Sequence, residues 1–273
     1  MTMLASWVGV DTHGQTSAYI VSESRITWPG GSHYDFTKKV FAAKSYPDIF
    51  GYAGEVLFPS IALSQIVEMI DAGVFFTQEM DREEKHSVVY EKLQEAFLSY
   101  PANHCDSVVQ ILHISRDTTF LKYPVFSAKL FQWSKQKGWR VFEYSRQLTS
   151  GLLCNLGSNQ SEFADNLARY QTGPNQNTSR SIFHCFIDTL SNTKDQKCGG
   201  APQLVGVFRK PDTNAINFGI VYKNKRFFLG SELTNEVKYD NIQWRNELFE
   251  LVDGNTKQRF ASAAEQPDPL RRR

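Results

Sequence analysis

The chain has 273 residues, 41% of them hydrophobic, and a formal net charge of +1. That is enough apolar material for a full core, and we read one large domain over residues 1–252. The balanced charge offers no basic field to nucleic acid, and the one concentrated cationic run, Arg271 to Arg273, ends a polar tail. No apolar run approaches the roughly 20 residues that cross a bilayer, and the N-terminus lacks the regions of a secretory signal, so a cytoplasmic chain without membrane or nucleic-acid partners is expected.

Residues 2–10 and 15–23 are rich in β-branched and aromatic side chains and flank the turn-forming Asp11-Thr12-His13-Gly14, which predicts a hairpin. Behind Met1 stands Thr2. Once Met1 is removed, a terminal threonine carries its nucleophile, the hydroxyl, and its base, the α-amine, on one residue. The loop Trp28-Pro29-Gly30-Gly31-Ser32 leads to two short strands at 38–42 and 48–54. Leu63, Ile66, Val67, Ile70 and Val74 then recur at helical spacing, and Val89, Leu93, Ala96 and Phe97 define a second helix from about Asp81 to Leu98. Pro101 stops it.

Strands are predicted at 107–114, 120–130, 140–144 and 151–156, with Lys137-Gly138 as a turn. Helices at 160–171 and 179–192 follow, separated by the breaker Thr172-Gly173-Pro174-Asn175. The sheet resumes at 204–209, 215–222 and 226–229, a last helix is expected at 242–252, and the polar residues 253–273 are expected to be disordered. Strands, two helices, strands, two helices, strands is the order of an α+β four-layer αββα sandwich of two antiparallel sheets. Four widely spaced cysteines fit reduced thiols. The neighbours His104-Cys105 and His184-Cys185 diverge too much to share a metal, so no cofactor is expected.

Six short motifs appear in order. Thr2-Met3-Leu4-Ala5-Ser6 heads the first strand, and Ile20-Val21-Ser22-Glu23-Ser24-Arg25 ends the second. Phe36-Thr37-Lys38-Lys39-Val40 opens the third, and Phe50-Gly51-Tyr52-Ala53-Gly54 closes the fourth. Leu156-Gly157-Ser158 and Asp195-Gln196-Lys197-Cys198-Gly199-Gly200-Ala201 come later. Each is weak alone; Ser158 and Asp195 by themselves read as caps at helix ends. Together they resemble the N-terminal-nucleophile hydrolases, in particular proteasome β-type subunits and the HslV-type peptidase of bacteria. Beyond Lys210 the resemblance is poor.

The resemblance implies the αββα fold and peptide-bond hydrolysis by Thr2 through an acyl-enzyme. Lys39 is expected beside Thr2, favouring the neutral α-amine that serves as base, with Lys38 on the opposite face. Glu23 stands where the family has aspartate, pairing Lys39 from one methylene further away. Gly54 is expected to offer its backbone N–H to the oxyanion, Ser158 and Asp195 to complete the polar network, and Thr27 to hydrogen-bond an extended substrate. The implied partners are a polypeptide substrate, a homo-oligomeric ring with Phe75, Phe76 and Tyr100 at its contacts, and an AAA+ ATPase unfoldase. The competing readings are a catalytically silent scaffold subunit and a small-amide acylase.

Overall fold

Pleating sends alternate residues of the first hairpin to opposite faces, and here both faces are apolar. In β1 (Met3–Asp11) and β2 (Gly14–Ser22), Met3, Ala5, Trp7, Tyr19 and Val21 enter one core cluster. Leu4, Val8, Ala18 and Ile20 enter another. A sheet buried on both sides must be covered on both sides. The computed structural model, which describes residues 2–101, 105, 107–117, 126–145, 147–173, 175–210, 213–234 and 237–263, shows how.

After a small hairpin, β3 (Ile26–Thr27) and β4 (His33–Tyr34), come β5 (Val40–Ala42), β6 (Asp48–Gly54), α1 (Leu57–Asp71) and α2 (Arg82–Leu98). The strands β7 (Val109–Arg116), β8 (Phe126–Ser134), β9 (Gly138–Tyr144) and β10 (Gly151–Gly157) lead to α3 (Gln160–Tyr170) and α4 (Ser179–Asn192). The chain then runs through β11 (Gln203–Phe208), β12 (Ile216–Tyr222), β13 (Lys225–Phe228), β14 (Ser231–Glu232), β15 (Trp244–Arg245) and β16 (Leu251–Val252). One sheet has the order β10-β1-β2-β11-β12-β13-β14, with β15 and β16 branching from β12; the other is β5-β6-β7-β8-β9. Leu4 and Ile20 of the first meet Ile49, Leu112 and Ile114 of the second between the sheets. Helices α3 and α4 cover the outer face of the first sheet, around Trp7, Phe163 and Phe183. Helices α1 and α2 cover the second, with Leu63, Ile66 and Leu93 against Phe50, Tyr52 and Ile111. The fold is the expected four-layer αββα sandwich.

Local chemistry sets the helix starts. Asp81 and Glu84 cap α2 reciprocally, each side chain accepting from the other's backbone N–H at 2.9 Å. Glu55 plays this part for α1, accepting from Leu57 and Phe58 at 3.0 and 2.8 Å.

The expected helix at 242–252 is instead two strands, β15 and β16, joined by a turn. Asn246 is the reason: its side-chain oxygen accepts from the backbone of Leu248 and Glu250 at 3.0 and 2.8 Å, bonds that compete with a helix. The apolar residues also serve two different cores, Phe249 under α4 and Trp244 with Val252 beside Tyr239. Residues 253–263 of the expected tail fold back onto this unit. The Arg226 guanidinium donates to the carbonyls of Gly254 and Asn255, and Phe260 N–H to Leu251 at 3.2 Å. Residues 264–273 lie outside the described residues, as do 120–125 of the expected strand, His104 and Pro174. Phe76, expected at an assembly contact, is buried against Tyr46, while Phe75 and Tyr100 are half-buried.

Candidate active site

The site forms where the ends of β1, β2 and β10 meet the entry to β5. Backbone pairing places Thr2 first: Met3 pairs with Gly157, Leu4 with Ser22, and Ser158 N–H donates to the Thr2 carbonyl at 2.9 Å. Gly157 has φ +101°, and a Cβ there would lie 1.6 Å from the Thr2 carbonyl oxygen. Only glycine lets the two strands approach this closely. Thr2 is fully buried.

Lys39 reaches Thr2 from the other sheet, donating from Nζ to Thr2 Oγ1 at 3.2 Å. The same ammonium pairs with the Glu23 carboxylate and donates to the Arg25 carbonyl, and all three side chains of the Thr2-Lys39-Glu23 set are without solvent exposure. The other oxygen of Glu23 accepts from Arg25 N–H. The extra methylene of Glu23 therefore does not prevent the ion pair. Burial pushes its carboxyl above the usual range, opposed chiefly by the charge of Lys39. Lys38 goes the other way, its Nζ 4.2 Å from the centre of the Phe41 ring in the α1-α2 core, and burial pulls its pKa down. Both lysines precede β5, which starts at Val40 rather than at Lys38.

Ser158 and Asp195 form a second pair. Ser158 Oγ donates to Asp195 Oδ2 at 2.9 Å, and Asp195 Oδ1 accepts from Lys197 N–H at 3.0 Å. Gly54 ends β6 with φ +86°, where a Cβ would meet the Val108 carbonyl at 1.9 Å; it shares one cavity with Gly157 and Ser158. Thr27 lies on the far flank, its hydroxyl donating to the Lys197 carbonyl at 3.4 Å. Thus Thr2, Glu23 and Lys39 converge through side chains, Ser158 joins them at the Thr2 backbone with Asp195 bonded behind it, Gly54 lines the adjoining cavity, and Thr27 sits apart.

Four contributors were not legible as site residues. Gln203 accepts from Lys39 N–H at 2.9 Å and donates to the carbonyls of Glu23 and Thr37 at 3.1 and 2.8 Å, locking the lysine loop to the end of β2. Ser24 Oγ joins Asp35 to Ala201, and Asp35 takes two hydrogen bonds from Arg25 at 2.7 and 2.9 Å. Cys198 Sγ lies 3.6 Å from Asp195 Oδ2 and 3.8 Å from Ser158 Oγ; burial raises its pKa to about 12, so it is a thiol rather than a thiolate. Ser24 and Cys198 lie inside quoted motifs; Gln203 and Asp35 carried no sequence signal. Among the described residues no group of three or more His, Cys, Asp or Glu converges on a possible metal position.

The four-layer sandwich is a fold shared with solved proteasome-related structures. Among solved structures, Anbu, described as an ancestral β-subunit, from Yersinia bercovieri superposes with a TM-score of 0.54 at 11% identity, covering 78% of this chain and 86% of that one. The Pseudomonas aeruginosa Anbu complex, described as a helical assembly, gives 0.56 at 12% identity over 86% and 88%. A Gly-1 mutant of Anbu from Hyphomicrobium sp. strain MC1 gives 0.50 at 11% over 84% and 88%. At these identities the likeness is one of fold. No protein-family model and no curated protein matches the sequence.

Proposed function

We propose that the chain is a proteasome-like threonine peptidase in which Thr2, exposed as the N-terminus by loss of Met1, is the nucleophile. The observation that carries this reading is the buried Lys39 ammonium held between Thr2 Oγ1, at 3.2 Å, and the Glu23 carboxylate. A cation there favours the hydroxyl's developing negative charge and the neutral form of a nearby α-amine. The amine takes the hydroxyl proton as Oγ attacks the peptide carbonyl. The tetrahedral oxyanion is received by Gly54 N–H, collapse expels the leaving peptide as its amine with the proton returned from the α-ammonium, and water then hydrolyses the ester, freeing the Thr2 hydroxyl. Ser158, held at the Thr2 backbone, and Asp195, bonded to its hydroxyl, orient the amine and that water, and Thr27 pairs the extended substrate.

The same reading takes the chain as one copy in a homo-oligomer, as the helical assembly of the Pseudomonas aeruginosa Anbu complex suggests, and as fed by an AAA+ unfoldase, as the resemblance to HslV-type peptidases suggests. Four free, buried cysteines accord with a cytoplasmic setting. The complete burial of Thr2 favours a second reading, a silent scaffold subunit. Fluorogenic-peptide turnover by Met1-free protein separates the two. The peptidase reading requires that Thr2→Ala abolish turnover and that Thr2→Ser retain part of it; an active Thr2→Ala protein, or an inactive Met1-free wild type, contradicts it.

A further inference from the structure

The space between the two sheets is apolar along most of its length and changes character at one end. On the inward face of β7, Ile114 and Leu112 are followed by Gln110, and on β8, Ala128 and Leu130 are followed by Gln132. The two glutamines sit opposite each other in the β7-β8 register. Continuing the apolar stripe would have closed the sandwich here. Instead they line a cavity of about 340 Å³ whose other walls are Ser107, Val108, Gln160, Gly54, Gly157 and Ser158. Gly157 and Ser158 also pack on the Thr2 carbonyl, so the cavity, with Gly54 in its wall, borders the Thr2 backbone.

The lining contains no charged side chain. Among the described residues, the side-chain amides of Gln110, Gln132 and Gln160 make no hydrogen bond to the protein, and Gln110 and Gln132 are half-buried. A carboxamide presents a donor and an acceptor together, and another carboxamide meets both through one planar group, with two N–H donors where a hydroxyl has one O–H. A carboxylate uses only the donors and an ammonium only the acceptors, each losing hydration without a counter-charge. An aliphatic side chain leaves the glutamines unpaired.

We infer that this cavity is a specificity subsite for a glutamine or asparagine side chain next to the scissile bond of a polypeptide substrate. The inference rests on the peptidase reading, so its test measures binding apart from turnover. Thr2→Ala protein, freed of Met1, is titrated by fluorescence competition with alanine-based hexapeptides carrying Gln, Leu, Glu or Lys at each position in turn. One position should show Gln favoured about tenfold over the other three, the scale of one net hydrogen bond. Gln110→Leu with Gln132→Leu should level the series, and Gln132→Lys should move the preference to Glu. Wild-type turnover is measured on the same peptides. Gln-selective binding without wild-type turnover sinks the peptidase and keeps the subsite. Turnover or binding with no Gln preference, or no binding at all, overturns the subsite, as does a preference that survives both sets of substitutions.

Discussion

Glu23→Ala strands the Lys39 ammonium in a site with no exposure on either partner. Removing one member of a buried ion pair costs about 3–5 kcal/mol, because the remaining charge keeps its desolvation penalty and loses its compensation. That is a large part of the roughly 5–15 kcal/mol that holds a domain folded. The two halves of the pair are not equivalent. Burial already pushes the Glu23 carboxyl up, and Lys39 is the leading influence against it. In Lys39→Met, protonation of Glu23 is therefore made easier, which limits the loss; Lys39 in Glu23→Ala keeps only the Arg25 carbonyl and Thr2 hydroxyl as partners. The expected order of stability in urea unfolding followed by circular dichroism is wild type, Lys39→Met, then Glu23→Ala. The double variant Glu23→Leu with Lys39→Met should recover about 1 kcal/mol or more relative to Glu23→Ala, since apolar replacement of a buried pair is often nearly neutral. All three should lack turnover. Lys38→Ala, which gives up a contact with Phe41 worth about 0.5–1 kcal/mol, should keep it. A Glu23→Ala protein within about 0.5 kcal/mol of wild type, the error of such comparisons, would refute the argument.

Gly157→Ala should be destabilised by several kcal/mol and lose turnover, since its Cβ at φ +101° collides with the Thr2 carbonyl; unfolding and peptide assays on one preparation check both. Trp244→Ala should cost about 3–5 kcal/mol by emptying the core shared with Tyr239 and Val252, and limited proteolysis should then cut within 237–263. Stability should also fall with acid. His86 and His113 share a buried hydrogen bond of 2.9 Å beside Asp48 and Lys85, and burial holds both below the usual histidine pKa near 6.5. The unfolded chain therefore binds more protons below about 6.5, and stability declines from there toward the folded values with a limiting slope of about 1.4 kcal/mol per pH unit for each histidine. Urea midpoints at pH 7.5 and 5.5 should differ accordingly, and less so in His86→Gln.

The layer order could be read from sequence because apolar runs, helical spacing and turn chemistry are local signals that survive folding, whereas the meeting of Thr2, Lys39 and Glu23 was legible only through the resemblance of short motifs in order. Asp48–Gly54 and Ser179–Asn192 fall where pattern and turn chemistry place them. The region 242–252 misled because its apolar residues, divided between two cores, mimic one helical stripe, and the competing Asn246 side chain is visible only as a polar residue. Gln203 was illegible for another reason. A single glutamine at the start of a strand gives no hint that it will bridge two loops more than 160 residues away in sequence.

The central claim is that Thr2 acts through a free amine, and intact-mass spectrometry after incubation with a threonine-directed covalent inhibitor tests it most directly. Met1-free wild type should carry a single adduct, mapped to Thr2, and Thr2→Ala or protein that keeps Met1 should carry none. An adduct of equal yield on protein that keeps Met1, or on Thr2→Ala, contradicts it.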